Sequence, residues 1–145
     1  MRRLALFVVS LACLGTLLGS SGYAHSHVMA GHDISHENLG PADLHRFYLE
    51  INRASFASKL PDVPVRWGDL SKDDAYGVTH FDHNVPTSME VDRQSVHTES
   101  FARDVIRHES CHIATIREAK RLHEDQHGAT FAACMARVQD DDTAD

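Results

Sequence analysis

The segment 98–123 places the strongest constraint on how this chain can fold. Its apolar residues recur with the period of an α-helix, and the string His108-Glu-Ser-Cys-His112 lies in its middle. At 100° per residue, His112 lies about 40° and Glu109 about 100° around the helix from His108, within the same arc as Val105. Two histidines and a carboxylate on an apolar face are costly to bury without a compensating partner. The pattern therefore predicts a metal-binding helix packed against the rest of the domain.

The opposite side of this helix is polar. Ser110 and three arginines lie between about 200° and 260° from His108, and these arginines are Arg103, Arg107 and Arg121. We therefore expect this arc to face solvent.

The H-E-x-x-H spacing has a specific chemical use. Two histidines four residues apart on a helix can bind one metal ion, and the glutamate between them can act as general base on a metal-bound water. We therefore expect His108 and His112 to be metal ligands and Glu109 to be the base. Cys111 falls off the ligand face, so we expect its thiol to pack rather than to bind the metal.

A catalytic metal site needs a third protein ligand and an open fourth position. The extended pattern H-E-x-x-H-x-x-G-x-x-H is absent, since Thr115 and Glu118 occupy its glycine and third-histidine positions. On a straight helix His123 would lie about 16 Å along the axis from the motif. A helix that ends near Leu122 would let five extended residues bring His127 back by about 16 Å. We assign His127 as the third ligand and keep His123 as the alternative.

The other helical patterns lie on either side of the molecule's predicted strands. Asp43 is a candidate N-cap for a first helix that closes near residues 58–59. A short last helix follows Gly128 and is marked by Phe131, Met135 and Val138. We expect residues 41–138 to form one domain.

Three short apolar segments between the first two helices predict strands at 63–67, 76–81 and 88–91. Residues 84–87 include Asn84 and Pro86, which are typical of turns, and separate the last two strands. The long helix can bury its apolar face only on this small sheet, so the fold class is α+β with about three antiparallel or mixed strands.

Residues 1–24 have the organisation of a signal peptide, in which Arg2 and Arg3 precede an apolar run over residues 4–19. The run is shorter than the roughly 20 residues that a membrane span needs. We expect cleavage after Ala24, export to the periplasm or the exterior, and no stable membrane insertion afterwards. Lipid attachment through Cys13 is the less favoured alternative.

The charge balance is acidic and disfavours nucleic acid as a partner. The formal net charge of −7 becomes −9 once Arg2 and Arg3 are removed with the leader, because the leader holds no acidic residue. We expect a monomer. The remaining cysteines, Cys111 and Cys134, can form a disulfide only if the fold brings them together, which the sequence does not decide.

Residues 25–40 predict a flexible, histidine-rich arm, and residues 139–145 an acidic tail. The arm has no apolar periodicity and contains His25, His27, His32 and His36. A free amine at His25 together with nearby imidazoles could chelate copper or nickel. A second function therefore stays open, that of a non-catalytic extracytoplasmic protein that scavenges metal through the arm and the H-E-x-x-H site.

Two motifs and their separation resemble the SprT-like (Spartan-like) zinc metallopeptidase domain. The string His108-Glu-Ser-Cys-His112 is followed after fourteen residues by His127-Gly-Ala-Thr-Phe131, as in that family's H-E-x-C-H helix and later H-G-x-x-F. Upstream, Asn52-Arg-Ala-Ser-Phe56 and Leu60-Pro-Asp-Val-Pro-Val-Arg-Trp67 are similar to its first helix and strand.

The resemblance implies a zincin-like fold, Zn²⁺ held by His108, His112 and His127, Glu109 as general base, and a protein or peptide substrate. The chain has no C-x-x-C pair and no basic tail, so only the peptidase chemistry is carried over and not the family's association with DNA. A third hypothesis is that the protein is a related hydrolase that acts on cell-wall peptide rather than on protein.

Deletion of residues 25–40 separates the peptidase from the metal scavenger. A peptidase should keep its bound zinc and its activity without the arm, because its ligands lie elsewhere. Metal titration of the truncated protein checks this, and loss of most of the metal-binding capacity would favour the scavenger.

Overall fold

The structure, a computed structural model, describes residues 38–140, which form three helices and three strands. In chain order these are α1 (Pro41–Phe56), β1 (Val65–Gly68), β2 (Gly77–Asp82), β3 (Val85–Asp92), α2 (Glu99–Leu122) and α3 (Ala129–Asp140). The predicted signal peptide, residues 25–37 of the arm and residues 141–145 of the tail lie outside the described part. The predicted α+β class is confirmed.

β3 is the central strand of a mixed sheet with the order β1-β3-β2. β1 runs parallel to β3, with Val65 opposite Met89, and β2 runs antiparallel to it, with Gly77 opposite Val91. The prediction of a small three-stranded sheet is therefore confirmed. β2 is an edge strand, and it also contacts α2.

The main apolar core is shared by the sheet and the helices. α2 contacts α1, α3, β2 and β3, so it is held on several sides. The largest fully buried apolar side chains of this core are Leu44, Phe47, Tyr48, Met89 and Ile106. Within residues 38–140 no helix is long and apolar enough to cross a membrane.

Both ends of α2 have specific caps. Thr98 is the N-cap, and its hydroxyl accepts a hydrogen bond from the Phe101 backbone N–H at 3.2 Å. His123 is the C-cap and adopts a left-handed conformation with φ of 56°. The helix therefore ends at Leu122, as the sequence predicts.

The N-cap predicted for the first helix is wrong. Gly40 is the N-cap of α1 and Pro41 occupies the first turn, so the helix begins before Asp43. The Asp43 carboxylate instead accepts a hydrogen bond from the Gly40 N–H at 2.9 Å. Proline is favoured at the first helical position because it lacks an N–H that would be unpaired there.

The turn predicted at 84–87 is also displaced. The β2–β3 hairpin turns at His83 and Asn84, which both have positive φ, and Pro86 lies inside β3. β1 pairs with β3 only from Met89 onwards, so one side of β3 has no strand partner at Pro86, where a missing N–H is tolerated.

The polar arc of α2 is only partly exposed, contrary to prediction. Ser110 is fully buried, and the Arg103 side chain is 24% exposed. The reason is that α1 packs on this flank, where Arg103 forms an ion pair with Glu50 at 2.9 Å.

Candidate metal centre

Three histidine side chains converge at one side of α2. His108 and His112 lie one turn apart on the helix, and His127 lies in the connection before α3. The Nε2 atom of His108 is 3.1 Å from those of His112 and His127, and the latter two are 3.2 Å apart. The three nitrogens thus form a nearly equilateral triangle.

This triangle fits metal coordination better than hydrogen bonding. Each ring nitrogen has one proton or one lone pair, so three mutual contacts at near 60° corners cannot all be good hydrogen bonds. Nitrogen ligands about 2.0–2.1 Å from a tetrahedral ion are separated by about 3.3–3.4 Å, close to the measured distances. The triad could therefore hold a metal ion.

The chain returns to the helix through a short turn. The left-handed His123 redirects the backbone, and the Gly128 N–H donates to the Asp125 carbonyl at 2.9 Å. A Cβ at Gly128 would lie 3.0 Å from that carbonyl oxygen, so the turn is tight at this residue.

A side-chain contact also holds the connection between α2 and α3: the Glu124 carboxylate accepts a hydrogen bond from the Thr130 N–H at 2.8 Å. His127 consequently joins the triad, whereas His123, the alternative, serves as the helix cap and is outside it.

α3 closes one side of the triad. The Phe131 ring lies 4.8, 4.4 and 4.8 Å, centroid to centroid, from the rings of His108, His112 and His127. A disulfide joins Cys111 on α2 to Cys134 on α3, with Cα atoms 5.8 Å apart. The disulfide closes a loop that contains His127 and so limits how far this histidine can move from α2.

Burial favours the neutral form of His108 and His112 most strongly. Burial, and then the neighbouring His127, lower the pKa of His108 to about 4. Burial, followed by His108 and His127, lowers the pKa of His112 to about 3, and burial also lowers the pKa of His127. A neutral imidazole has the free lone pair that a metal ion requires.

Glu109 lies in the same helical turn and is almost completely buried, with 2% of its surface exposed. The Thr79 hydroxyl on β2 donates to its Oε2 at 2.8 Å. Burial raises the pKa of Glu109 to about 7, against the opposing effect of hydrogen bonds from the side chain and backbone of Thr79.

β2 can approach this glutamate because residue 77 has no side chain. A Cβ at Gly77 would lie 2.6 Å from Val105 Cγ1 and 3.0 Å from Glu109 Cγ. The sequence pattern points to neither Gly77 nor Thr79 as a site residue. A glycine within a strand often marks a close approach of another part of the chain, so Gly77 could have been identified from the sequence. Thr79 could not, because its contact with Glu109 depends on how β2 packs against α2.

The comparison with protein families agrees with this geometry. The model of the SprT-like family matches residues 44–144. This chain belongs to the SprT-like family. The resemblance to this family is therefore confirmed, and the match contains the histidine triad and Glu109. A search of curated proteins and a search of solved structures gave no significant match.

Membership of the SprT-like family indicates a metallopeptidase-like domain. The family match begins in the first turn of α1 and includes the whole sheet, α2 and α3, so it refers to nearly the entire described fold rather than to one motif. The zincin-like arrangement of the fold is confirmed by the clustering of the three histidines on α2 and beside α3.

Replacement of His127 by Ala should weaken divalent metal binding by more than about 100-fold, since indirect partners of metal ligands alone contribute about 10- to 100-fold. His108→Ala and His112→Ala should behave alike. The matched control is His123→Ala, which should bind metal as the wild type does. Titration with Co²⁺ or Zn²⁺ measures this, and an effect of His123→Ala equal to that of His127→Ala would contradict the triad.

Removal of the disulfide should lower the free energy of unfolding. For a sequence separation of 23 residues, loop-closure entropy predicts a loss of about 3 kcal/mol in the double variant Cys111→Ala/Cys134→Ala. Urea denaturation of the metal-free protein measures it. A reductant should destabilise the wild type but not the variant, and an unchanged unfolding midpoint in both cases would argue against the bond.

Proposed function

We propose that this protein is an exported, zinc-dependent metallopeptidase that hydrolyses peptide bonds. The observation that carries the proposal is the convergence of His108, His112 and His127 next to a buried Glu109. Two histidines and the glutamate come from one turn of one helix, and the third histidine comes from a separate connection. Such an arrangement is suited to metal-assisted hydrolysis.

The ligand set suits zinc. Catalytic zinc sites commonly have three protein ligands with nitrogen donors and one open position. A zinc ion bound by the triad would act as a Lewis acid towards a peptide carbonyl and a water molecule. Phe131 shields one side of the histidine rings, which leaves the substrate to enter from another.

Glu109 carries the proton transfers in the proposed reaction. Its carboxylate accepts a proton from the attacking water while the water oxygen bonds to the peptide carbonyl carbon. It then returns the proton to the amide nitrogen as the C–N bond breaks, so the products are a carboxylic acid and an amine. Burial raises the pKa of Glu109 above its ordinary value, which favours the return of the proton to the leaving nitrogen.

Thr79 supports this role by holding the carboxylate. Its hydroxyl and backbone N–H both bond to Glu109. These contacts restrict rotation of the Glu109 side chain and provide donors for its charged form. Gly77 allows β2 to come close enough for them.

Export and the class of partner are part of the proposal. The leader pattern supports export, and the Cys111–Cys134 bond is of a kind that persists in oxidising compartments. The net charge of −9 without the leader supports a polypeptide substrate rather than a nucleic acid. We also propose that the enzyme acts as a monomer.

Glu109→Gln should keep the bound zinc and the fold but reduce proteolysis by about 10²- to 10⁴-fold, the usual contribution of a general base. The matched control is Glu118→Gln, which changes a half-exposed glutamate on the same helix and should leave the rate unchanged. Cleavage of an unfolded protein and the zinc content are measured together. Full activity of Glu109→Gln would refute the assignment.

A further inference from the structure

A small cavity opens beside the proposed catalytic residues. It lies between the first half of α2, the start of β2 and α3, and has a volume of about 180 Å³. His108 and Glu109 form part of its lining, so the cavity borders the metal centre. The proposed function does not use it.

Apart from Gly77 and Asp104, the remaining walls of the cavity are apolar. Phe101 and Val105 come from α2, Met135 from α3, and Tyr76 from the residue before β2. Tyr76 contacts the Phe101 ring edge-on, with centroids 5.2 Å apart. Phe101, Tyr76 and Met135 are only half-buried, which means that these apolar surfaces are accessible from outside.

The volume corresponds to a sizeable apolar group. A dry cavity of about 150 Å³ lined by apolar side chains binds benzene, so 180 Å³ accommodates a phenyl ring or a branched aliphatic chain. Burial of such a group is favourable by about 25 cal/mol per Å² of apolar surface. A lysine or arginine side chain would lose hydration against the apolar walls, and the acidic Asp104 of the lining is already paired with Arg107 at 2.9 Å.

The position of the cavity identifies its occupant. A peptide bond placed for attack must lie next to Glu109 and the histidines, and the side chains of the two residues that flank this bond project from the adjacent Cα atoms. The cavity borders His108 and Glu109 directly, so one of these two side chains is the group within reach.

We propose that this cavity binds an apolar side chain of the residue flanking the scissile bond, and that the enzyme therefore cleaves next to Leu, Met or Phe. This inference rests on the proposed peptidase function. Large apolar side chains are mostly buried in folded proteins. The substrates are accordingly unfolded or flexible polypeptides in which such residues are exposed.

Cleavage of a peptide set tests the preference. Peptides in which one residue varies among Gly, Ala, Leu and Phe are digested by the zinc-loaded protein, and the cut positions are mapped by mass spectrometry. The wild type should favour Leu and Phe over Ala by at least about 10-fold in kcat/KM, because each additional methylene group bound in an apolar pocket increases kcat/KM by about that factor or more. Met135→Trp, which fills the cavity, should abolish this preference, and Phe101→Ala, which enlarges it, should shift the preference from Leu towards Phe.

The matched control is Leu122→Trp, which adds the same ring at a residue of α2 that is 45% exposed and away from the cavity. It should cleave as the wild type does. Cleavage that depends on Glu109 but shows the same kcat/KM for Ala, Leu and Phe would overturn the pocket and leave the peptidase intact. If the wild type cleaves no peptide, or if Glu109→Gln cleaves as fast as the wild type, the proposed peptidase function itself fails, and the pocket proposal fails with it.

A binding measurement gives a readout that does not need activity. N-acetyl-phenylalanine amide should shift the methyl NMR signals of Met135 and Val105 in the metal-free full chain, whereas N-acetyl-glycine amide should not. The shifts should persist in Glu109→Gln and in Leu122→Trp. Absence of any shift at these methyl groups would overturn the proposal, even if Met135→Trp proves unable to fold.

Discussion

The metal centre depends on a reversal of chain direction after α2. The helix supplies His108 and His112 by itself, because residues four apart lie on one face, but it cannot supply a third ligand beyond its own end. The left-handed His123 stops the helix, and the tight turn around Gly128 brings His127 back to within 3.1 Å of His108. Everything proposed about zinc requires this turn.

The reversal is secured by α3 rather than by the histidines. The Phe131 ring stacks on His112 with centroids 4.4 Å apart, and the Cys111–Cys134 bond ties α3 to α2 next to the same histidine. Two protonated imidazoles this close together would repel each other, and burial favours the neutral forms of His108 and His112. The protein therefore organises the ligands before the metal binds, which reduces the conformational entropy lost on binding.

The elements with strong periodicity were predictable, and those set by tertiary contacts were not. Residues 98–123 have caps and an apolar face that depend on local sequence, so the bounds of α2 follow directly. The burial of Ser110 depends on where α1 packs, and the pairing of Cys111 with Cys134 depends on the angle between two helices. Thr79 becomes a partner of Glu109 only once β2 is placed against α2, a contact between residues thirty positions apart.

The central claim is that three histidines form a single metal site beside Glu109. Crystals grown with zinc and measured at its absorption edge test it most directly, because the anomalous signal locates the ion independently of the protein atoms. The account predicts one strong peak about 2.0–2.1 Å from the Nε2 atoms of His108, His112 and His127. A peak bound by His123 instead of His127, or the absence of a peak between these three rings, would contradict it.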